Sequence, residues 1–285
     1  MTAIVSWNIQ YGKGCDGVLD LGRIVDTVRA MGEFDVLCVQ EVAVNIADMG
    51  GGEDVDQTAQ LAALLPGYEP FFAPAIDLIG PNGRRQRFGN MILSRLPVLA
   101  AATHILPRPA DPTVMHMPRA AAAALVEAKA GALRIFTTHL EFHGTAQRPV
   151  QAEALRALYA EAAANDRLVP QPGPGPYRVL PAAVGTAICG DFNFEASEPP
   201  YAAITRPFAD GTEALADAWA RRYSGTPHAP TCGVHDREQW KQGPHARDFF
   251  FVSSGLGAKI MDVTVDVATA ASDHQPVRLV LKDAP

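Results

Sequence analysis

Two short polar clusters carry the chemistry available to this sequence. In Cys189-Gly190-Asp191-Phe192-Asn193 an apolar run meets a small residue and then offers a carboxylate and a carboxamide two positions apart. Strand alternation puts Asp191 and Asn193 on the same side of the chain. The carboxylate can hold or deprotonate a water and the carboxamide can hydrogen-bond an oxyanion, which is what attack on phosphorus requires. The same letters also spell an ordinary turn. In the second cluster, Ala271-Ser272-Asp273-His274-Gln275-Pro276 leads into an apolar strand. Histidine suits proton transfer near neutral pH and needs a carboxylate to fix its tautomer. Neighbouring side chains on a strand point opposite ways, so Asp248 of Arg247-Asp248-Phe249-Phe250 is a better partner for His274 than Asp273. Asp273 is then free for a metal.

Other polar residues interrupt apolar runs in the same manner. Glu41 follows Gln40 at the end of an Asp35–Val39 strand, and Asn8 follows the Ala3–Trp7 strand. A hard cation such as Mg²⁺, or Mn²⁺ as a substitute, takes oxygen ligands from one or two carboxylates and keeps several waters. Glu41 with Asn8 nearby satisfies that demand, although both also read as strand ends facing water. His139 of Thr137-Thr138-His139-Leu140 can donate to a phosphoryl oxygen or serve as a structural histidine. Arg119 can grip phosphate with its guanidinium fork or pair with a surface carboxylate.

These residues need a frame of strands and helices. Short β-branched runs recur at Ala3–Trp7, Asp35–Val39, Met91–Leu93, Leu125–Glu127, Leu133–Thr138, Ala187–Cys189, Asp248–Val252, Lys259–Val267 and Val277–Leu281. So many short strands predict paired sheets. Leu21, Ile24, Val25, Val28 and Met31 recur at helical spacing. A second helix starts after Asp56 as N-cap and ends at Pro66-Gly67, a third spans about Val150 to Ala163, and a fourth covers 213–222. The order predicts four layers: helix, sheet, sheet, helix. Met49–Val55, Asn165–Pro181 and Tyr223–Arg247 read as long loops within one domain spanning 1–285, since none is charged or repetitive enough to link domains.

Composition bounds the function. With 48% hydrophobic and 19% charged residues over 285 positions, the chain has material for a large core. The 24 basic residues against 31 acidic ones give a net charge of −7, which argues mildly against a protein that coats nucleic acid. Gly83-Arg84-Arg85-Gln86-Arg87 is the one basic cluster, read as a solvated loop or as a contact for substrate phosphate. The chain opens on a strand-like run and contains no stretch of about 18 apolar residues. Its four cysteines lack C-x-x-C spacing and suit reduced thiols, so a cytoplasmic protein without membrane insertion is expected. No obligate protein partner is evident.

The series Ser6-Trp7-Asn8-Ile9-Gln10, Val39-Gln40-Glu41, Gly89-Asn90-Met91-Ile92-Leu93-Ser94-Arg95, Thr138-His139-Leu140, Gly190-Asp191-Phe192-Asn193, Asp248-Phe249-Phe250 and Ser272-Asp273-His274 resembles the endonuclease/exonuclease/phosphatase superfamily. The resemblance implies a DNase I-like α/β sandwich of two mixed sheets, with the site at one edge. It implies Glu41 as principal Mg²⁺ ligand with Asn8 and Asp273 close by. His274 oriented by Asp248 would be an acid/base, Asp191 would orient or activate the water, and Asn193 and His139 would stabilise the transition state. Arg119 falls where many members carry a phosphate-facing or structural arginine. Whether Asp191 or His274 takes the proton stays open. Gln10 stands where abasic-site enzymes carry Asp, which weakens a second metal site. The expected activity is metal-dependent hydrolysis of phosphodiesters, either DNA or RNA or a small or lipid phosphodiester. The alternative is a non-catalytic module of the same fold that binds a phosphorylated partner.

Overall fold

The computed structural model describes residues 1–168 and 170–283; Val169, inside the stretch expected to be a 165–181 loop, lies outside the described residues. Two six-stranded mixed sheets face each other. In the first, the order is β11 (Ile260–Val265), β12 (Val277–Leu281), β1 (Thr2–Asn8), β2 (Val36–Val44), β4 (Arg85–Ser94) and β3 (Glu69–Ile79). In the second it is β5 (Val98–Ile105), β6 (Ala120–Ala128), β7 (Gly131–His139), β8 (Gly185–Asp191), β10 (Asp248–Ser253) and β9 (Leu215–Asp217). The only parallel pairs among these neighbours are β1 with β2 and β7 with β8.

Strand alternation divides the apolar residues among three cores. Ile4, Cys38, Ile135, Cys189 and Phe250 pack between the sheets. Val5, Trp7, Leu37 and Val39 point the other way and bury Ile24, Val25 and Val28 of α1 (Leu21–Ala30) and Leu61 of α2 (Gln57–Leu64). On the far side Phe136, Ile188, Phe249 and Phe251 receive Leu155 and Tyr159 of α3 (Gln147–Arg167) and Ile204 of α4 (Pro199–Thr205). Helix, sheet, sheet and helix therefore stack as expected. Each fully buried aliphatic side chain contributes about 1.5–3 kcal/mol to this stacking. Asp20 and Asp56 cap α1 and α2 through backbone N–H groups, Asp56 as anticipated.

The same parity matters for polar residues. Asn8 lies four positions from Ile4, Gln40 two from Cys38, His139 four from Ile135, Asp191 two from Cys189 and Asp248 two from Phe250. All five side chains therefore start from the inner faces, at one end of the sandwich. Gln40 Nε2 donates to Thr137 Oγ1 at 2.8 Å and ties the two sheets together beneath that end. Gly190 makes a close approach that no other residue permits: its φ is +137°, and a Cβ there would lie 1.9 Å from the carbonyl oxygen of Thr138.

Several expectations need correction. β3 was hidden by Pro70 and Pro74, which a strand tolerates because β3 is a sheet edge. β5 is the alanine-rich edge of the other sheet. The 213–222 segment is not one helix: Leu215–Asp217 pairs with β10, and Asp217 then caps α5 (Ala218–Arg222) by accepting from Trp219 N at 2.8 Å. α3 continues to Arg167, beyond the expected end near Ala163, so the segment from Asn165 to Arg167 is helix rather than loop. Arg134 Nη2 donates to Asp166 Oδ1 at 3.0 Å and fixes that last turn to the sheet. A further short helix, α6 (Ser254–Gly257), follows β10.

Candidate active site

Sheet register sets the second cluster beside the first. In β7, β8 and β10, His139 and Asp248 both stand directly opposite Asp191. In β1 and β2, Asn8 stands opposite Gln40. Glu41 is not at a strand end, as the sequence suggested. β2 runs on to Val44, and Glu41 sits in an irregularity between Val39 and Val42 with φ +63°. That bulge breaks the alternation that would have sent Glu41 to the face opposite Gln40. Gln10, Tyr11 and Asn193 also hold left-handed backbone, at φ 44°, 45° and 53°. Non-glycine residues in that region cost energy that the surrounding structure must repay.

Asp191 is the hub. Its Oδ2 accepts from Asn8 Nδ2 at 3.0 Å and lies 3.4 Å from His139 Nε2 and 3.6 Å from His274 Nε2. Its Oδ1 accepts from the Asn193 N–H at 2.9 Å. Burial alone would raise the Asp191 pKa, but the two histidines, Asn8 and the Asn193 amide hold it below the ordinary carboxylate range. His274 Nδ1 meets Asp248 Oδ2 at 2.8 Å, as adjacent-residue geometry required. Burial works against a charged His274, yet Asp248, Asp191 and Asp273 outweigh it and hold its pKa well above that of free histidine. His139 goes the other way: burial, aided by the Arg119 charge, pushes it down to about 3 and leaves the ring neutral.

Asn8 Nδ2 also donates to Glu41 Oε1 at 3.0 Å. Burial first and the charge of Asp273 second push the Glu41 pKa up to about 7, and Asp273 is itself raised by burial. Two carboxylates thus share one cavity, and no Lys or Arg salt bridge reaches either among the described residues. The carboxylates of Glu41 and Asp273 fit a hard divalent cation, which would relieve the repulsion, whereas Asn8 turns its Nδ2 to Glu41 and its Oδ1 accepts from the Gln10 N–H at 3.1 Å. A different set among the described residues, Asp191, Asp248 and His274, brings its ligand atoms within 4.8 Å of one another. Within it His274 Nδ1 and Asp248 Oδ2 already bond each other, which leaves His274 Nε2 facing Asp191.

Of the two readings of Arg119, phosphate grip or a surface carboxylate partner, the structure corrects the second. It is buried, and its Nε donates to Oε2 of the buried Glu141 at 3.1 Å, while Nη1 has no hydrogen-bond partner. Both Arg119 and Asn193 line the cavity that holds Asn8, Glu41, His139, Asp191, Asp273 and His274. Asp248 stands behind His274. Three contributors were missed. Thr231 Oγ1 donates to Asp248 Oδ2 at 2.6 Å. Glu141 follows His139 by two residues, a spacing that could have revealed it. Trp240 packs its ring 5.5 Å from that of His274 and donates from Nε1 to Asp273 Oδ2 at 3.4 Å; it comes from the 223–247 stretch, where no periodicity marked it.

The sequence model of the "Endonuclease/Exonuclease/phosphatase family" matches residues 5–274. No curated protein is similar enough in sequence to register. Among solved structures, an endonuclease/exonuclease/phosphatase from Beutenbergia cavernae is similar at 22% identity and TM-score 0.71, over 98% of this chain and 70% of its own. A mannosyl-6-phosphatase from Bacteroides thetaiotaomicron superposes at TM-score 0.62 and 18% identity, over 99% and 100%. The human Nocturnin catalytic domain with bound sulfate does so at 0.63 and 17%, over 98% and 92%. At such identities the structural likeness carries the fold, DNase I-like, and the sequence match carries the lineage. No helix among the described residues is long and apolar enough to cross a membrane.

Proposed function

Because the chain belongs to the endonuclease/exonuclease/phosphatase family and is an enzyme of that phosphoesterase class, we propose that it hydrolyses phosphodiesters with Mg²⁺, in one domain spanning the chain. The observation that carries this reading is the convergence of Asn8, His139 and His274 on one oxygen of Asp191. A carboxylate held ionised below its usual pKa, beside a histidine held protonated, is a poised pair for moving a proton between water and a leaving oxygen.

In this reading Asp191 orients the attacking water and His274 exchanges a proton with the phosphate or leaving group, held in orientation by Asp248. Asn193 and neutral His139 donate toward the charge that builds on phosphorus. Buried Glu141 holds Arg119 at the cavity wall, where its guanidinium would add positive charge beside the phosphoryl group. Glu41 and Asp273 would hold Mg²⁺, joined by Asn8 once its carboxamide turns its oxygen toward them, and the ion would supply electrostatic stabilisation of the phosphoryl oxygens when bound.

Nucleic acid and small or lipid phosphodiesters are the two substrate classes this chemistry serves. The test is release of p-nitrophenolate from bis-p-nitrophenyl phosphate with Mg²⁺ and with EDTA. Turnover that EDTA abolishes and Mg²⁺ restores is expected; absence of metal-dependent turnover on this and a broad phosphoester panel contradicts the reading.

A further inference from the structure

The walls of the site narrow the substrate. The cavity around Asp191 measures about 450 Å³, within the roughly 300–1,000 Å³ of pockets that enclose small molecules. Its apolar wall is formed by Tyr11, Met49, Phe88, Met117, Phe142 and Trp240. Phe142 and Trp240 meet edge to face at 5.7 Å and 90°, which fixes both rings. Trp240 is sealed at 2% exposure, whereas Phe142 and Met117 are only partly buried and present free surface beside the catalytic carboxylates.

Charge points the same way. The cavity is lined by three carboxylates, Glu41, Asp191 and Asp273, against two positive groups, Arg119 and His274, whose charges Glu141 and Asp248 already balance. The basic cluster that could have gripped a nucleic-acid backbone is neutralised: Arg84 pairs with Asp54, Arg85 with Asp77 at 2.8 Å and Arg87 with Asp56 at 3.9 Å. Exposed pairs of this kind add little stability, but they cancel the positive field that a polyanion would need for binding and steering.

Resting on the phosphodiesterase reading above, we infer that the substrate is a compact phosphodiester, carrying a single negative charge, whose non-leaving group is aromatic or apolar and packs on Phe142 and Met117. A diester brings one negative charge to this acidic site where a polynucleotide brings many. In the reaction a water oxygen bonds to phosphorus, the bond from phosphorus to the leaving oxygen breaks, and the water's proton ends on the leaving group or in solvent.

The test compares two diesters with one leaving group, phenyl p-nitrophenyl phosphate and methyl p-nitrophenyl phosphate, under Mg²⁺, alongside supercoiled plasmid DNA. The phenyl ester should exceed the methyl ester in kcat/KM by about tenfold or more. That ratio should fall toward one in Phe142→Ala and in Met117→Ala, and plasmid should not be nicked detectably. Equal turnover of the two diesters, a ratio unmoved in both variants, or efficient nicking of plasmid overturns this inference and leaves the phosphodiesterase reading standing. Hydrolysis of neither diester nor plasmid overturns that reading and this one with it.

Discussion

His274 Nδ1 lies 2.8 Å from Asp248 Oδ2, and the other ring nitrogen faces Asp191 at 3.6 Å. One carboxylate fixes the ring while the other shares its working edge. Thr231 completes the arrangement by donating to the same Asp248 oxygen. Asp248→Asn keeps the shape but removes the charge that orients the His274 ring and favours its protonated form. It should lower kcat by about 10²–10⁴-fold with KM little changed. Thr231→Val should lower kcat by less. Steady-state kinetics on a p-nitrophenyl diester check both, and an unchanged kcat in Asp248→Asn would exclude the orienting role.

Glu41 is held near neutrality by burial and by Asp273, a state that a bound cation would reverse. Glu41→Ala should therefore raise the Mg²⁺ concentration for half-maximal rate by about tenfold or more, since even outer partners of metal ligands cost 10–100-fold. Calorimetric titration of Mg²⁺ into both proteins measures the same loss directly. Superimposable titrations would remove Glu41 from the metal site.

How much of this was legible in the sequence follows from what each residue reports locally. Asn8, His139, Asp191 and Asp248 announce themselves because each ends or starts an apolar run whose parity fixes its face. Their joint direction then follows from two sheets packed on one inner core. Glu41 was legible as a residue but not as geometry, because its bulge depends on pairing with β4. Trp240 and Thr231 were illegible. They sit in the Tyr223–Arg247 segment, where position is set by tertiary contacts to His274 and Asp248 rather than by period. The edge strands β3 and β5 escaped for a related reason: prolines in one and alanines in the other blur a pattern that sheet pairing restores.

Arg119 and Glu141 form a buried pair. Removing one partner of such a pair strands the other charge, at a cost of about 3–5 kcal/mol. Glu141→Leu should lower the thermal midpoint by many degrees, and adding Arg119→Met should recover much of the loss. Equal midpoints in wild type and Glu141→Leu would show that the pair contributes nothing to the fold.

His245 gives a pH signature. Its Nε2 accepts from Arg247 Nε at 2.8 Å, and burial, with the Arg247 charge, pushes its pKa below that of free histidine. The unfolded chain binds this proton more readily, so the associated stability is complete above about pH 6.5 and is lost as pH falls below it. Between pH 7.5 and 5.5 the wild type should lose more thermal stability than His245→Gln. Parallel losses would contradict the assignment.

Asp191 joins every part of the account, so Asp191→Asn tests it most directly. The exchange preserves volume and leaves an oxygen to accept from Asn8 or Asn193, so the thermal midpoint should stay near that of the wild type. The initial rate on bis-p-nitrophenyl phosphate at saturating Mg²⁺ should fall by about 10²–10⁴-fold. A folded Asp191→Asn protein that retains the wild-type rate within a few-fold would contradict the central claim.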